Sequence, residues 1–384
     1  MSKHILFVLD YYTPHRGWSE TVFENIISRL QKKKYTISIL TSRFDPSLPT
    51  EEHHDAIHIY RTGKGRLAFV FSAFFRGRKI LKKHKDISVI HASTYGGAIP
   101  ASLLWSFFHK KVILTVHEIF GKLWYIYKWF LCGWLYRFFE RLIFLLHYDI
   151  YHCVSRYTMN SLRLVYTVPD YKIRMIYNGV DTEFRNPKNV SESEVHQRRS
   201  EHGWDDRYVV LYYGHAGKSK GLDYLVQAMP EVMAQNKDIL FVYNLIDSKR
   251  TNDTKLRIKN EELRIRKQWD TKTMKHWNVQ IFNGFEQEKL RILVASADLV
   301  VAPSLSEWFW SVHTESVAME RPLLTTFIGP IPEVVRWNVK MIPPWSASEI
   351  ADSVLDFAAG KIKENIPKKI FSRDETVVKI EELY

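Results

Sequence analysis

Residues 303–333, PSLSEWFWSVHTESVAMERPLLTTFIGPIPE, are the stretch from which the rest of the chain is interpreted. An apolar run at 297–302 precedes them and is typical of a buried parallel strand. Residues 303–310 are therefore predicted to form a loop at the carboxyl end of that strand. Open α/β sheets bind their ligands at this edge, so we expect a binding site here.

Two carboxylates lie close together in this stretch. Glu307 falls on the predicted loop, and Glu315 falls within 312–319, an apolar-periodic segment typical of a following helix. Both side chains can face one cleft, where carboxylates accept hydrogen bonds from sugar or ribose hydroxyls or transfer protons. Their spacing alone favours another interpretation, two solvated glutamates on a surface loop.

The residues around the two carboxylates favour a binding role for the pair, because they match a known sequence pattern. The segment resembles the donor-binding segment of the retaining GT-B glycosyltransferases of family 4, whose pattern is roughly P-S-x-x-E-G-F-G-x-x-x-x-E-A-M-A-x-G-x-P and then G-G-x-P-E. The matching residues are Pro303, Ser304, Glu307, Phe309, Glu315, Ala318, Pro322, Gly329, Pro332 and Glu333. The residues that stand where the family has glycine are Trp308, Trp310, Glu320 and Pro330. These departures imply a more crowded donor pocket.

The resemblance implies an α/β protein of the GT-B class, with two Rossmann-like, doubly wound parallel-sheet domains that face a cleft. It implies an N-terminal acceptor-binding domain at 1–187 and a C-terminal donor-binding domain at 188–369. A last helix at 370–384 would pack back on the first domain. A chain of 384 residues suits two domains of ordinary size.

The order of predicted elements supports a parallel sheet independently. Apolar strand-like runs alternate with segments of helical periodicity through the first 116 residues. The predicted strands are 5–9, 35–40, 57–60, 89–91 and 112–116, and the predicted helices are 20–32, 67–84 and 97–108. This alternation indicates βαβ units. The polar stretch 186–206 lacks apolar periodicity and is predicted to be a linker into a second domain.

The first predicted βα turn, at 10–19, is a candidate phosphate- and acceptor-binding loop. Gly17, Trp18 and Glu20 occupy positions where the family usually has Gly-Gly-x-Glu, and Ser19 is a typical first residue of a helix. Free amides at that helix N-terminus would face the sheet edge. A simple βα turn without a ligand is the alternative.

Two histidines follow predicted strands of the first half. His117 comes directly after 111–116, in T-V-H-E, and matches the T-V-H-D of the family. The resemblance implies that His117 borders the reacting sugar. His91, at the end of 89–91, matches a structural H-A dipeptide and is predicted to pack in the core.

The turn 214–221, GHAGKSKG, follows the first predicted strand of the second domain. It is not expected to be a P-loop, because Tyr212 occupies the position of the first required glycine. The turn resembles the G-R-L-x-x-x-K-G of the family, in which arginine and lysine clamp the donor diphosphate. The resemblance implies that Lys220 is that lysine and that His215 replaces the arginine, with Lys218 as a further cation. A lysine in such a turn is expected to affect rate more than folding. Solvated lysines before a helix are the alternative.

Two aromatic-rich segments are candidates for contact with a membrane surface. Residues 67–85 and 123–146 carry apolar side chains at helical spacing, with basic residues on their flanks. This pattern suits an interfacial helix. A core helix is an equally good interpretation of 67–85 and the favoured one of 123–146. Residues 67–85 are therefore the predicted contact with an anionic membrane.

The composition narrows the class of partner. The chain has 55 Lys and Arg against 42 Asp and Glu, a net charge of +13 and a pI near 9.4. Such a charge favours an anionic partner, which includes nucleic acid, an acidic membrane and a phosphorylated substrate. The sequence contains no RNA-binding motif and no zinc-binding spacing, so nucleic acid is not expected.

The compartment is inferred from cysteines and apolar runs. Cys132 and Cys153 lie in apolar surroundings without C-x-x-C spacing and are predicted to be buried free thiols. The chain enters a strand at once, without a signal-peptide pattern. The longest uncharged aromatic run, 129–136, is far short of the roughly 20 residues that span a bilayer. We expect a cytoplasmic protein, either soluble or peripheral on the inner face of the cytoplasmic membrane.

The resemblance implies a metal-independent, retaining glycosyltransferase (EC 2.4) without a cofactor, whose co-substrate is a nucleotide-diphosphate sugar. Glu307 would bind the sugar hydroxyls and Glu315 the ribose, with amides near Phe309 and Trp310 assisting. The candidate catalytic residues are His117, Lys220 and Glu307. The acceptor would be a glycan or a lipid-linked molecule. Two alternatives remain open, a catalytically inactive nucleotide-sugar-binding protein and a basic membrane-associated protein on the same fold.

Overall fold

The structure, a computed structural model, describes residues 3–15, 17–127, 129–246, 251–268, 278–307, 311–362 and 367–384. The chain divides into two compact units. The first unit comprises Met1–Gly179 and Phe371–Tyr384, and the second comprises Val180–Ile370. The division follows Gly179, a few residues before the boundary at 187 that the sequence suggests.

The first unit is built on one large sheet. Its strands are β1 (His4–Leu9), β2 (Thr36–Ser42), β3 (Glu51–His54), β4 (Ile57–Thr62), β5 (Ile87–Ser93), β6 (Lys111–Val116), β7 (Ile150–Cys153) and β8 (Ile173–Met175). They lie in the order β3-β4-β2-β1-β5-β6-β7-β8, and every neighbouring pair except β3–β4 is parallel. Parallel strands are covered on both faces, which explains why β1 and β6 are almost wholly apolar.

Helices connect these strands and cover the sheet. They are α1 (Trp18–Lys32), α2 (Gly65–Lys83), α3 (Ala98–Phe108), α4 (Trp124–Tyr127), α5 (Phe130–Leu145) and α6 (Arg156–Tyr166). The predicted alternation of strands and helices is confirmed. The short exposed strand β3 was not predicted, because its sequence E-E-H-H has no apolar residue.

The second unit repeats this architecture with a smaller parallel sheet. Its strands are β9 (Tyr208–His215), β10 (Ile239–Ile246), β11 (Val279–Phe282), β12 (Leu299–Ala302), β13 (Leu323–Thr326) and β14 (Val339–Ile342), in the order β11-β10-β9-β12-β13-β14. Its helices are α7 (Glu192–His202), α8 (Leu222–Gln235), α9 (Thr251–Gln268), α10 (Gln287–Ala295), α11 (Ser311–Ala318), α12 (Ile331–Val334) and α13 (Ala347–Ala358). Both units are therefore Rossmann-like α/β layers.

The chain ends in the first unit with α14 (Arg373–Glu381). The Tyr35 hydroxyl donates to a Glu381 carboxylate oxygen at 2.8 Å. Tyr384 makes a 2.7 Å hydrogen bond with His91, which is fully buried. The packing role predicted for His91 is confirmed. This hydrogen bond joins Tyr384 to strand β5.

Residues 186–206, predicted to be a linker, contain helix α7, so that prediction is wrong. The Ser191 side chain accepts from the backbone N–H of Glu194, and the Glu194 carboxylate accepts from the backbone N–H of Ser191. This capping box starts the helix, and Gly203 ends it in the left-handed conformation. No residue of α7 is buried, which explains why the helix lacks apolar periodicity.

Helices α2 and α5 expose much of their apolar surface. On α2, Leu67, Phe71 and Phe75 form an exposed stripe, whereas Phe69 and Ile80 are buried. The exposed apolar residues of α5 include Trp134, Leu135, Phe138, Phe139, Leu142 and Leu145. The core interpretation favoured for 123–146 is therefore wrong for the outer face of α5. Among the described residues, no helix is long and apolar enough to cross a membrane.

The two cysteines lie in different environments. Cys153 is buried, and burial raises the pKa of its thiol to about 12. Cys132, also predicted to be buried, is instead exposed, because it lies on the outer face of α5. Both thiols are free.

Candidate functional site

Among the parallel strands of each sheet the strand order reverses once, and a cavity lies at each reversal. The reversal falls between β1 and β5 in the first unit and between β9 and β12 in the second. The carboxyl ends of strands at such a point form the crevice where open α/β sheets bind ligands. Asp10 and His117, which directly follow β1 and β6, line the first cavity. His215 and Ser304, at the ends of β9 and β12, line the second.

Glu307 is held by two side chains in the second cavity. Lys220 Nζ donates to Glu307 Oε1 at 2.8 Å and to Oε2 at 2.7 Å. The Ser304 hydroxyl donates to Glu307 Oε2 at 2.9 Å. Glu307 is 4% exposed, so its carboxylate has little access to water and depends on these partners.

Two glycines allow the segments around Glu307 to approach each other. At Gly221, which has φ +65°, a Cβ atom would lie 1.8 Å from the carbonyl oxygen of Pro303. At Gly329, which has φ +49°, it would lie 2.8 Å from the carbonyl oxygen of Glu307. The backbone N–H of Leu305 also donates to the carbonyl of Ser219 at 2.7 Å. Only glycine permits these close backbone contacts, which bring the 214–221 turn against the loop after β12.

Glu315 is paired with an arginine that sequence reasoning missed. Arg185 Nη2 lies 3.2 Å from Glu315 Oε2 and also donates to Gln287 Oε1. Arg185 is 3% exposed, and its backbone N–H donates to the Asp181 carbonyl at 2.7 Å. Arg185 directly follows N-G-V-D-T-E-F at 178–184, and this position in the motif was the available signal.

Of the other predicted donor-binding residues, His215 lies at the second cavity and Lys218 does not. His215 lines the same cavity as Lys220 and Glu307. Lys218 is exposed in the 3₁₀ turn that includes Lys220, and it is not among the described residues that line the cavity. The predictions for Phe309 and Trp310, and the crowding attributed to Trp308, lie outside the described residues.

A further residue, His313, belongs to the same cavity and was not singled out from the sequence. It lies in the first turn of α11, between the two glutamates, and is 2% exposed. Burial lowers the pKa of His313 to about 4, and the nearby Glu307 charge acts in the opposite direction. The ring is therefore neutral at pH 7. A histidine between two candidate binding carboxylates was the available signal.

The first cavity has a volume of about 300 Å³ and combines carboxylates with aromatic rings. Burial raises the pKa of Asp10 to about 6, although Arg66 at 3.5 Å opposes this, and it raises the pKa of Glu118 to about 7. Burial also lowers the pKa of His117 to about 3, so its ring is neutral at pH 7. The aromatic lining includes Tyr11, Phe23, Tyr95, Phe120, Trp124 and Tyr136. Such a cavity can accept hydrogen bonds from the hydroxyls of a ring and pack against its apolar face.

The predicted acceptor loop contributes Glu20 to this cavity. Helix α1 begins at Trp18 with Gly17 as its N-cap, so the prediction that Ser19 starts the helix is wrong. The Ser19 hydroxyl instead donates to Glu20 Oε2 at 2.9 Å. His15 Nδ1 lies 3.1 Å from Glu20 Oε1.

Two family models match the chain. The model described as Glycosyltransferase Family 4 matches residues 19–184, and the model described as Glycosyl transferases group 1 matches residues 195–370. The first match falls largely within the first unit, and the second lies within the second unit. Each match therefore includes residues of one of the two cavities.

Characterised and uncharacterised relatives are similar over most of the chain. An uncharacterized glycosyltransferase of Methanocaldococcus jannaschii is 24% identical over 341 residues, which cover 85% of this chain and 80% of that protein. The GPI3 subunit of phosphatidylinositol N-acetylglucosaminyltransferase from Saccharomyces cerevisiae is 21% identical over 347 residues. That match covers 87% of this chain and 70% of the yeast protein.

Solved structures share the fold of the whole chain. A glycosyltransferase from Rickettsia africae has a TM-score of 0.77 at 16% identity, covering 100% of this chain and 97% of its own. HepE from Anabaena, solved with UDP and glucose, has a TM-score of 0.73 at 15% identity, covering 100% of this chain and 99% of its own. Two Rossmann-like units with these neighbours define the GT-B fold. The chain therefore belongs to the group 1 glycosyltransferases of the family 4 type.

Proposed function

We propose that this glycosyltransferase transfers a hexose-type sugar from a UDP- or GDP-linked donor to a glycan or lipid-linked acceptor. The anomeric configuration of the sugar would be retained. The reaction would serve the synthesis of envelope polysaccharide, lipopolysaccharide or glycolipid. The observation that carries the proposal is the pairing of Lys220 with the buried Glu307 at the switch point of the second sheet. The Anabaena neighbour with UDP and glucose and the yeast N-acetylglucosaminyltransferase relative support the donor class.

The second unit supplies the groups that such a donor needs, Lys220 and Glu307 from the second cavity and Glu315 from the helix that follows it. Lys220 would stabilise the diphosphate as its negative charge grows during cleavage of the bond to the sugar. Glu307 would accept hydrogen bonds from the sugar hydroxyls, and Glu315 would accept them from the ribose. No protein nucleophile is required if an oxygen of the leaving diphosphate accepts the proton of the acceptor hydroxyl.

We further propose that transfer needs no divalent metal. Lys220 already places a cation beside the carboxylate that would bind the sugar, and the sequence has no D-x-D motif. A fixed ammonium group can stabilise a leaving diphosphate without metal coordination. Transfer assayed in excess EDTA should proceed at the rate measured without it, and a strict requirement for Mg²⁺ or Mn²⁺ would contradict this part of the proposal.

The acceptor would bind in the cavity of the first unit. His117, at the end of β6, would border the reacting sugar. The carboxylates of Asp10, Glu20 and Glu118 would accept hydrogen bonds from acceptor hydroxyls. The aromatic lining favours a ring with an apolar face. The neutral state of His117 suits a hydrogen-bonding role rather than a charge-bearing one.

A membrane surface is the proposed site of action, on the inner face of the cytoplasmic membrane. The exposed stripe Leu67, Phe71 and Phe75 of α2 leads directly into exposed Lys79 and Lys82. Apolar side chains can enter the interfacial region while lysines meet anionic headgroups. The outer face of α5 adds further exposed apolar area to the same unit.

A panel of nucleotide sugars tests the function and its alternatives together. UDP- and GDP-linked hexoses are assayed for transfer to glycan and lipid-linked acceptors, and the anomeric configuration of the product is determined by NMR. Transfer with retention supports the proposal. Binding of a nucleotide sugar without transfer to any acceptor would favour the inactive binding protein. Vesicle binding without nucleotide binding would favour the membrane-associated protein.

A further inference from the structure

We propose that His313 is a further donor-binding residue, whose imidazole N–H donates a hydrogen bond to a diphosphate oxygen of the nucleotide sugar. The inference rests on the proposed function, since it assumes that the second cavity receives a nucleotide-diphosphate sugar. It assigns a role to a residue at a variable position of the pattern, between Glu307 and Glu315.

The ring of His313 lacks the partners that a buried imidazole normally has. It is 2% exposed, and neither Nδ1 nor Nε2 makes a hydrogen bond to any residue in the described part of the chain. The Ala302 backbone acts weakly against the lowering of the His313 pKa by burial, but no hydrogen bond joins it to either ring nitrogen. A buried polar group without partners destabilises a fold, so such groups are rare and need a reason.

Other buried histidines of the chain show what a structural imidazole looks like here. His91 bonds to Tyr384 at 2.7 Å and to Thr115 at 2.7 Å. His152 bonds to Thr115 at 2.9 Å and to the carbonyl of Ile176 at 3.1 Å. Each uses both ring nitrogens within the fold. His313 uses neither nitrogen in a hydrogen bond within the described part of the chain.

The surroundings of His313 favour an anionic ligand atom. The ring lines the same cavity as Lys220 and Glu307, and it lies in the first turn of the eight-residue helix α11. The amino end of a helix carries partial positive charge and attracts anions. Because Glu307 accepts from both Lys220 and Ser304, an incoming oxygen that accepts from Lys220 and from the imidazole completes the site. A diphosphate oxygen provides that acceptor.

The decisive variant is His313→Phe, which retains a planar ring but removes both hydrogen-bonding nitrogens. The dissociation constants of UDP and GDP are measured by calorimetry on the full chain, and the Tm is measured without ligand. For the nucleotide that wild type binds, Kd should rise about 10- to 100-fold, as expected for loss of a hydrogen bond to a charged group. The Tm should stay equal or rise, because the buried nitrogens have no partners to lose.

His91→Phe is the matched control, since it removes a buried imidazole whose nitrogens are both bonded. It should lower the Tm, because Tyr384 and Thr115 lose a partner, and leave the Kd of the nucleotide unchanged. If His313→Phe does not fold, His313→Leu, which is smaller and also apolar, replaces it.

The outcomes separate this inference from the function on which it rests. A lower Tm for His313→Phe with a Kd within twofold of wild type would make the ring structural and overturn the inference. An unchanged Kd for UDP or GDP with weaker binding of the complete nucleotide sugar would overturn the assignment to the diphosphate. If wild type binds neither nucleotide nor any nucleotide sugar, the proposed function fails, and the inference fails with it.

Discussion

Lys220 Nζ donates to both carboxylate oxygens of Glu307, at 2.8 and 2.7 Å. Glu307 is buried, whereas 34% of the Lys220 side-chain surface is exposed to solvent. The two residues predicted to act on different parts of the donor thus form one ion pair. Their substitutions are therefore expected to be non-additive.

Lys220→Ala should lower turnover about a hundredfold or more, which corresponds to roughly 2–4 kcal/mol of transition-state stabilisation. It should also lower the free energy of unfolding by about 1–3 kcal/mol, because Glu307 loses its cation while it remains buried. The prediction that Lys220 affects rate more than folding is kept, but this contact adds a contribution to stability that the sequence did not indicate. Turnover and urea unfolding are measured for Lys220→Ala and for Lys220→Ala combined with Glu307→Gln, which should recover part of the stability. Unaltered turnover in Lys220→Ala would refute the role of this lysine.

Glu315→Ala should weaken binding of the free nucleoside diphosphate about tenfold, because its proposed partner is the ribose. Its pairing with buried Arg185 adds a loss of stability, so Glu315→Gln, which can still accept from Arg185, is the matched variant. Glu307→Ala should instead lower turnover more than nucleotide affinity. Calorimetry with UDP and GDP tests both statements. Equal affinities for wild type and Glu315→Ala would contradict the ribose assignment.

Glu118→Gln should change how stability depends on pH. Burial raises the pKa of Glu118 to about 7 from an ordinary value of 4.5, so the folded protein holds this proton more tightly than the unfolded chain. The contribution of Glu118 to stability is therefore present below pH 4.5 and is lost as pH rises towards 7. Relative to wild type, the variant should gain about 1–3 kcal/mol in unfolding free energy between pH 4.5 and pH 8. The measurement is urea unfolding at both pH values, and a difference that does not change with pH would show that Glu118 ionises normally.

Attachment to vesicles of phosphatidylglycerol should depend on salt and on α2. Changing Lys79, Lys82 and Lys83 to Glu should abolish co-sedimentation, since each basic residue near an anionic surface contributes about 1 kcal/mol. The charge-matched control reverses three exposed lysines of the second unit, Lys237, Lys259 and Lys289, and should retain attachment.

A second variant tests the apolar part of the same surface. Changing Leu67, Phe71 and Phe75 to Ser should weaken attachment in high salt, where charge is screened and burial of apolar area carries more of the binding. Equal recovery of wild type in the supernatant with and without anionic vesicles would make a soluble acceptor the better hypothesis.

The architecture could be predicted because its signals are local. Runs such as 5–9 and 112–116 are apolar throughout, as parallel strands require, and helical periodicity separates them. Helix α7 was missed because it buries no residue, although Ser191 and Gly203 carried its start and stop signals. The exposed face of α5 was misassigned because periodicity shows that a helix is apolar on one side without showing what covers that side.

The candidate site could be predicted only where a residue type stands in a known pattern. Lys220 and Glu307 are 87 positions apart, and their contact depends on the backbone approach that Gly221 permits, which no pattern of spacing states. The pairing of Arg185 with Glu315 and the burial of His313 likewise come from tertiary packing. These three relationships are properties of the folded second unit.

The central claim is that Lys220 and Glu307 belong to a site that transfers a sugar from a nucleotide diphosphate. The most direct test is release of UDP or GDP coupled to formation of a glycosylated product, measured with wild type and Glu307→Gln across the panel of UDP- and GDP-hexoses. We expect one donor class to support transfer by wild type, with turnover reduced about a hundredfold in Glu307→Gln. Equal turnover in the two proteins, or no transfer and no nucleotide-sugar binding by wild type, would contradict the account.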